Sequence, residues 1–156
     1  MPKRSTADIF LVLIGEGVKR AFLEEESIKQ RLSNIRFLPN LSKEQLAELL
    51  PAAKIGMNPN TNIHHNRMAI PVKMFDYMAC ELPVVLANDG EVKTIVEQNG
   101  AGFCTQPGDT QSFVAAVLNL YRDEKLRADM GKRGRQLVLA RYSIEALARE
   151  FEKALS

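Results

Sequence analysis

The stretch PVKMFDYMACELPVV, residues 71–85, decides the fold of this chain. Its spacing predicts a short amphipathic helix that carries one carboxylate, Asp76, and ends before Pro83, after which an apolar strand follows. In open α/β folds, ligands bind in the crevice outside the carboxyl ends of parallel strands. The order of helix, proline and strand therefore predicts that Asp76 lies beside such a crevice.

Apolar stretches of strand length alternate with longer helical stretches along the chain. The predicted strands are Ile9–Ile14, Ile35–Leu38, Ile55–Asn58, Val84–Ala87 and Gly102–Thr105. The first is apolar throughout, which is typical of a parallel strand covered on both faces. The alternation is the pattern of βαβ units. It predicts an α/β fold, a Rossmann-like parallel sheet of about five strands with helices on both faces, in one domain over residues 1–156.

Capping residues predict where several helices begin. Ser42 and Gln45 form a capping box, and Asp109 and Ser143 are predicted N-caps of later helices. Apolar residues at helical spacing follow the capping box and Asp109. They are Leu46, Leu49 and Leu50 after the capping box, and Phe113, Ala116, Val117, Leu120 and Tyr121 after Asp109. The last third of the chain predicts two helices, Asp123–Leu139 and Ser143–Leu155.

Composition excludes several classes of protein. With 46% hydrophobic and 26% charged residues, the chain has the composition of a soluble globular protein, and we expect it in the cytoplasm. The 21 basic and 19 acidic residues give a net charge of +2, too small to indicate nucleic-acid binding. The apolar run at residues 9–14 is too short for a signal peptide or a membrane span. Cys80 and Cys104 lack metal-ligand spacing, so we expect two reduced thiols in the core.

A basic segment lies near the C-terminus. Residues 122–141 contain seven basic and three acidic side chains in a predicted helix. Such a helix can contact an anionic membrane or an acidic partner. A solvated helix face explains the same charges, and we favour it.

The turn Gly15-Glu16-Gly17 ends the first strand and precedes a helix predicted to begin near Val18. Two glycines allow close approach of the backbone, so amides at the helix start can face a phosphate. The third glycine of a dinucleotide fingerprint is missing, and the Gly-Lys-Ser/Thr of a P-loop is absent. From these residues alone, phosphate binding and a simple tight turn are equally good interpretations.

The most polar segment, residues 58–68, contains four asparagines and the pair His64-His65. Such a segment cannot bury a core face, so it predicts a loop at the carboxyl end of a strand. The two histidines have no carboxylate or cysteine at ligand spacing, and we expect no metal site.

Taken together, these stretches resemble the donor-nucleotide domain of retaining glycosyltransferases of the two-Rossmann-domain (GT-B) type, family 4. That family has a Glu, seven residues and a second Glu before Ala-Met-Ala-Cys-Gly-x-Pro-Val-Val. Here the second Glu is Asp76 and the first falls on Met68. Residues 71–79 resemble a branch of the family with Pro-x-Lys-x-x-Glu-Tyr-Met-Ala, with Asp76 in place of its Glu. Glu81 stands where the family has glycine, a helix C′ position that often needs positive φ.

The resemblance also implies a nucleotide-sugar site. Its members are Gly15, Glu16, Gly17, Leu38, Pro39, Lys73 and Asp76. In the family, the glycine turn lies against the sugar nucleotide, and the Leu38–Pro39 segment corresponds to a slot for the base. Lys73 corresponds to a partner of a phosphate, and Asp76 to an acceptor of both ribose hydroxyls. The catalytic residues are not identified by this resemblance.

The implied function is the donor-binding half of an enzyme that transfers a hexose-type sugar from a UDP- or GDP-sugar to a saccharide or lipid-linked acceptor, as in polysaccharide biosynthesis. The N-terminal acceptor domain and the Arg/Lys loop for the diphosphate are absent, so we expect no activity alone, no cofactor, and a separate Rossmann acceptor domain or subunit as partner. A non-catalytic Rossmann-like scaffold module is the alternative, favoured by Met68. A flavodoxin-like or receiver-like domain is disfavoured, because no acidic cluster ends the first strand.

Overall fold

The structure is a computed structural model that describes residues 9–61 and 70–155. The chain divides into two compact units, Met1–Glu48 and Leu49–Ser156. The helices and strands are β1 (Leu11–Ile14), α1 (Arg20–Lys29), β2 (Ile35–Leu38), α2 (Lys43–Leu49), a 3-10 helix (Leu50–Ala52), β3 (Gly56–Asn58), α3 (Lys73–Ala79), β4 (Val84–Ala87), α4 (Glu91–Gln98), β5 (Gly102–Thr105), α5 (Thr110–Arg122), α6 (Glu124–Arg141) and α7 (Ile144–Leu155). This order alternates strands and helices as predicted.

The first unit contains the parallel pair β1 and β2. Leu11 lies beside Ile35 and Ile14 beside Leu38 in the register of this pair. The bounds of β2 match the prediction, β1 is two residues shorter, and α1 begins two residues later than the expected start near Val18. The capping box of α2 is confirmed, since the Ser42 amide donates to Gln45 Oε1 and the Gln45 amide donates to Ser42 Oγ.

The expectation that β1 is covered on both faces is wrong. Its residues alternate between half-buried and exposed, with 44% of Val12 and 38% of Ile14 exposed. That alternation is the pattern of a strand covered on one face only. None of residues 9–48 is fully buried. This includes Leu46 of α2, one of the apolar residues at helical spacing behind the capping box.

The second unit is built on a three-stranded parallel sheet in the order β3-β4-β5. β4 is the central strand, and all four of its residues are buried. The bounds of β4 and β5 match the prediction, and β3 begins one residue later than expected. In the register, Asn58 lies beside Leu86 and Ala87 beside Thr105, so the three strands end near one edge.

Helices cover both faces of this sheet. Val84 and Leu86 point to one side, into a cluster that includes Met74, Met78, Val92 and Val96. Val85 points to the other side, against Leu120 of α5 and Met130 of α6. Because successive strand side chains alternate between faces, β4 joins the two clusters into one core.

The predicted N-caps of the later helices are confirmed. The Asp109 carboxylate accepts a hydrogen bond from the Ser112 amide at 3.0 Å. Ser143 Oγ accepts one from the Ala146 amide at 3.1 Å. Asp123, predicted as the first residue of its helix, is its N-cap instead and accepts a hydrogen bond from the Leu126 amide at 2.8 Å.

Three arginines of the basic helix α6 bind main-chain carbonyls at the ends of other helices. Arg135 donates to Ala79 O at 2.7 Å, at the end of α3. Arg133 donates to Gly100 O at 2.9 Å, just after α4, and Arg127 to Leu120 O at 2.8 Å, near the end of α5. A cation is favourable there because the helix dipole places negative charge at the C-terminus. Part of the basic charge predicted to face solvent therefore serves the packing of this unit.

In the part of the chain that the structure describes, no helix is long and apolar enough to cross a membrane.

Candidate functional site

The glycine turn and the loop after β2 are hydrogen-bonded to each other within the first unit. The Gly15 amide donates to Leu38 O at 3.1 Å, and the Glu16 amide donates to Asn40 Oδ1 at 3.2 Å. Gly15 has φ of +135°, a conformation that side chains disfavour. The structure thus brings together the predicted residues Gly15 and Leu38, and Pro39 follows directly after β2.

These bonds limit which backbone groups a ligand can use. Of the three amides of the turn, those of Gly15 and Glu16 already have acceptors, whereas no described residue accepts from that of Gly17. The Leu38 carbonyl accepts two hydrogen bonds, and Pro39 has no amide proton. The next backbone acceptor along this segment is the Pro39 carbonyl, to which no described residue donates a hydrogen bond.

Arg20 is the residue that the sequence analysis missed in this region. Its Nη1 donates to Gly15 O at 3.0 Å, Leu38 O at 2.8 Å and Glu16 Oε1 at 2.9 Å. Its Nε donates to Glu24 Oε1 at 2.9 Å. The spacing of Glu16, Arg20 and Glu24, four residues apart, was a signal for an ion-paired helix face. The carbonyl partners gave no signal, because a sequence pattern does not show backbone acceptors.

A groove of about 220 Å³ lies along the end of β1 and the start of α1. Leu13, Leu23 and Phe37 contribute apolar surface to it, while Lys19 and Arg20 contribute cations. Apolar surface with a few charged groups is a common lining for small-molecule sites. Its other lining residues include Gly15 and Gly17 of the predicted site.

Two predicted site residues lie on the first turn of α3, in the second unit. Lys73 is the first residue of this helix, and both it and Asp76 are exposed. Met74 and Met78 are fully buried on the same helix. Helical spacing in the sequence predicts an apolar face of Phe75, Met78 and Ala79 that Met74 only flanks. That expectation is wrong for Met74, because it lies one helical turn before Met78 on the side that packs into the core.

The Asp76 carboxylate is accessible, and its charge acts on its neighbours. No described residue donates a hydrogen bond to it. Burial raises the pKa of the Tyr77 hydroxyl, and the negative charge of Asp76 adds to that rise. Burial and then Asp76 also raise the pKa of the Cys80 thiol, with Arg135 opposing them. Chemically, an exposed carboxylate at the start of a helix can accept hydrogen bonds from a pair of hydroxyls.

Polar groups lie where the strands of the second unit end. Asn88, directly after β4, is buried, and its Oδ1 accepts the Gly90 amide at 2.8 Å. The Thr105 hydroxyl at the end of β5 is buried and has no hydrogen-bond partner among the described residues. This edge of a parallel sheet is where open α/β folds bind ligands.

Glu81 has the positive φ that the sequence analysis associated with a glycine at this position. Its φ is 59°, its amide donates to Met78 O at 3.0 Å, and the Leu82 amide donates to Tyr77 O at 3.0 Å. These two bonds form a Schellman motif at the end of α3. The turn at the end of α3 therefore forms with a glutamate, Glu81, at the position of positive φ.

The predictions on Met68 and on His64-His65 lie outside the described residues. Within the described residues, no group of three or more His, Cys, Asp or Glu side chains is placed to hold a metal ion. Cys80 and Cys104 are free and half-buried.

Comparison with known proteins identifies the family. The family model described as "Glycosyl transferases group 1" matches residues 1–137. The chain therefore belongs to the group 1 glycosyltransferases.

Two relatives show how much of such a protein this chain represents. It is 22% identical over 149 residues to N-acetyl-alpha-D-glucosaminyl L-malate synthase of Bacillus anthracis, which covers 93% of this chain and 36% of the relative. It is 28% identical over 116 residues to the human alpha-1,3/1,6-mannosyltransferase ALG2, which covers 74% of this chain and 26% of the relative. The chain thus spans about a third or less of the length of these curated relatives.

Solved structures show the same fold. Sucrose-phosphate synthase from Thermosynechococcus elongatus superposes with a TM-score of 0.78 at 22% identity, covering 93% of this chain and 37% of that protein. Anabaena HepE in complex with UDP gives a TM-score of 0.79 at 18% identity, covering 94% of this chain and 40% of that protein. The parallel sheets and helices of this chain are thus similar to the folds of GT-B glycosyltransferases, as predicted.

Proposed function

We propose that this chain is the nucleotide-sugar-binding domain of a retaining glycosyltransferase. In this proposal it binds a nucleoside diphosphate sugar of the UDP or GDP type, and a hexose-type sugar passes from it to a saccharide or lipid-linked acceptor in the cytoplasm. Polysaccharide biosynthesis is the setting that we favour.

The observation that supports this proposal most is the family match over residues 1–137. The chain aligns over 93% of its own length with 36% of the Bacillus anthracis relative and with 37% of the sucrose-phosphate synthase, as expected for one domain of a longer enzyme. The solved neighbour HepE was crystallised with UDP and with UDP-glucose. A bound uridine nucleotide in a similar fold favours a nucleotide as the ligand here.

We assign four of the predicted residues a role in this function. The free Gly17 amide and Lys73 serve phosphates, the Pro39 carbonyl faces the base, and Asp76 accepts hydrogen bonds from the ribose hydroxyls. Exposure of Asp76 and Lys73 supports these roles, because both side chains can be reached by a ligand. Hydrogen bonds to a charged group are among the stronger polar contacts.

We further propose that transfer requires a separate Rossmann-type acceptor domain or subunit. Glycosyl transfer needs an acceptor hydroxyl held in position and a stabilised leaving diphosphate. Asp76 and Lys73 serve only the donor in this proposal. The purified chain alone should therefore not transfer sugar, and slow donor hydrolysis is the most that we expect from it.

A non-catalytic binding module is the second candidate. Two observations favour it: Met68 stands at the position of a family glutamate, and the amides of Gly15 and Glu16 are already hydrogen-bonded within the protein. A module of this kind would keep the core of the fold and lose the groups that act on the sugar.

Calorimetric titration tests the proposal. We expect UDP, UDP-glucose or GDP to bind with a dissociation constant between high micromolar and millimolar, roughly 4–6 kcal/mol of binding free energy, and NAD to bind more weakly. Equal binding of NAD, or no binding of any nucleotide, would contradict the proposal. Sugar transfer that appears only when a Rossmann-type partner is added would support a split enzyme over the non-catalytic module.

A further inference from the structure

Arg20 joins the ends of the two strands of the first unit. Gly15 directly follows β1 and Leu38 is the last residue of β2, and the carbonyl oxygens of both accept hydrogen bonds from Arg20 Nη1, at 3.0 Å and 2.8 Å. We propose that Arg20 is a positioning residue of the nucleotide site, which fixes the glycine turn against the loop after β2. This inference rests on the proposed function. Arg20 acts through these two segments and does not contact the nucleotide.

Two carboxylates hold the Arg20 side chain in this position. Glu16 and Glu24 lie one turn before and one turn after it, and each ion pair measures 2.9 Å. The side chain of Arg20 is 22% exposed, so its charge is partly removed from water. A partly buried guanidinium with four acceptors around it is held in one orientation, because each lost bond would leave a polar group unpaired.

The position matters because few backbone groups remain for a ligand. Gly17 and Pro39 carry the amide and the carbonyl that we assign to the nucleotide, and each lies within two residues of an Arg20 partner. Without Arg20, two hydrogen bonds among the described residues would hold the segments together beyond the paired strands. They run from the Gly15 amide to Leu38 O and from the Glu16 amide to Asn40 Oδ1. Less ordered segments bind a ligand more weakly, since they lose conformational entropy when the ligand binds and this reduces the binding free energy.

The hydrogen-bond geometry yields a discriminating substitution. One nitrogen, Nη1, makes the bonds to Gly15, Leu38 and Glu16. The two N–H groups of Nη1 are shared among these three acceptors. A lysine ammonium keeps a cationic donor near the two carbonyls but loses the Nε bond to Glu24, whereas Arg20→Met removes every one of these bonds.

The experiment measures amide hydrogen exchange in the ligand-free chain and UDP affinity by calorimetry. In Arg20→Met we expect exchange at Gly15 and Glu16 to accelerate by about tenfold and UDP affinity to fall by about fivefold or more. In Arg20→Lys both changes should be smaller than in Arg20→Met, because a cationic donor remains. Arg36→Met is the matched control: it removes an exposed arginine of β2 whose hydrogen bonds go to local carbonyls, and both quantities should again stay within about twofold.

Each outcome decides the inference. Wild-type affinity in Arg20→Met overturns it, and a loss of UDP affinity in Arg20→Met with unchanged exchange at Gly15 and Glu16 overturns it in favour of direct phosphate contact. If Arg20→Met does not fold, Glu24→Leu serves instead, because it removes the acceptor of the Arg20 Nε–H; UDP affinity unchanged in that variant overturns the inference. A wild-type chain that does not bind UDP contradicts the proposed function itself, whereas unchanged exchange in Arg20→Met overturns the inference about Arg20 alone.

Discussion

Gly131 of α6 packs its backbone directly against the carbonyl group of Glu81, at the end of α3. A β-carbon at position 131 would overlap the Glu81 carbonyl oxygen. One turn further along α6, Arg135 donates to Ala79 O at 2.7 Å. Through these two contacts α6 packs against the end of α3, the helix that carries Asp76.

Gly131→Ala should destabilise the protein. The overlap with backbone atoms cannot be relieved by a side-chain rotation, so we expect a loss of about 1–3 kcal/mol in the free energy of unfolding. Gly134→Ala is the matched control, because the added carbon there lies 3.1 Å from the flexible side chain of Met78. It should remain within about 1 kcal/mol of wild type, since alanine favours the helix by a similar amount. Chemical denaturation of both variants decides this, and equal stabilities would contradict the account of the contact.

Glu81→Gly should stabilise the protein. Glu81 has φ of 59°, which costs a residue with a β-carbon free energy that glycine avoids. We expect a gain of about 0.5–1 kcal/mol in urea denaturation. The exposed ion pair with Arg135, at 3.8 Å, is weak and offsets little of this. Glu81→Ala loses the ion pair and keeps the backbone strain, so it should be no more stable than wild type; a gain in that variant would refute strain as the cause.

Cys104 should make the protein less stable at alkaline pH. Burial, with a further contribution from the Glu97 carboxylate, raises the pKa of this thiol from 9.0 to about 12. Because the folded pKa is the higher one, its contribution to stability is complete below pH 9 and is lost as the pH rises toward 12. Cys104→Val should therefore show a shallower fall of stability with pH in this range. Parallel curves for the two proteins would contradict this. Tyr77, whose pKa is also raised, contributes equally to both curves.

The sequence predicted most of the strands, because the strands are short apolar runs bounded by residues that end strands. β4 lies directly after Pro83 and β5 begins at Gly102, two residues after Gly100, and both have the predicted bounds. β1 was harder, since an apolar run such as Ile9–Ile14 looks the same whether one face or both are covered. The exposed side chain of Val12 settles this, and only the packing shows it.

The candidate site was predicted in part. The positions of Gly15, Leu38 and Asp76 at the ends of elements follow from the alternation of strands and helices. Arg20 could not be predicted in its role, because its acceptors are carbonyl groups, one of them 18 residues away along the chain. Met74 was expected only to flank the apolar face of α3, because helical spacing gives relative positions but does not show how far round the helix the core extends.

Asp76→Ala should weaken nucleotide binding without unfolding the protein. A hydrogen bond from a ribose to a carboxylate contributes about 1.5–3 kcal/mol, so we expect UDP affinity to fall by about tenfold or more. Glu91→Ala is the matched control, since Glu91 is also an exposed acidic residue in the first turn of a helix, α4. Each variant should lose about 0.3–1 kcal/mol of stability from the helix dipole. Affinity that is unchanged in Asp76→Ala would leave this carboxylate with a purely structural role.

A titration of the isotope-labelled chain with UDP, followed by amide chemical shifts, tests the central claim most directly. The account predicts shift changes that saturate together at residues 15–17, 38–40 and 73–77. Those segments contain every residue that we assign to the nucleotide. No change at millimolar UDP, or changes confined to other segments such as α7, would contradict the claim that this chain is the nucleotide-binding part of a glycosyltransferase.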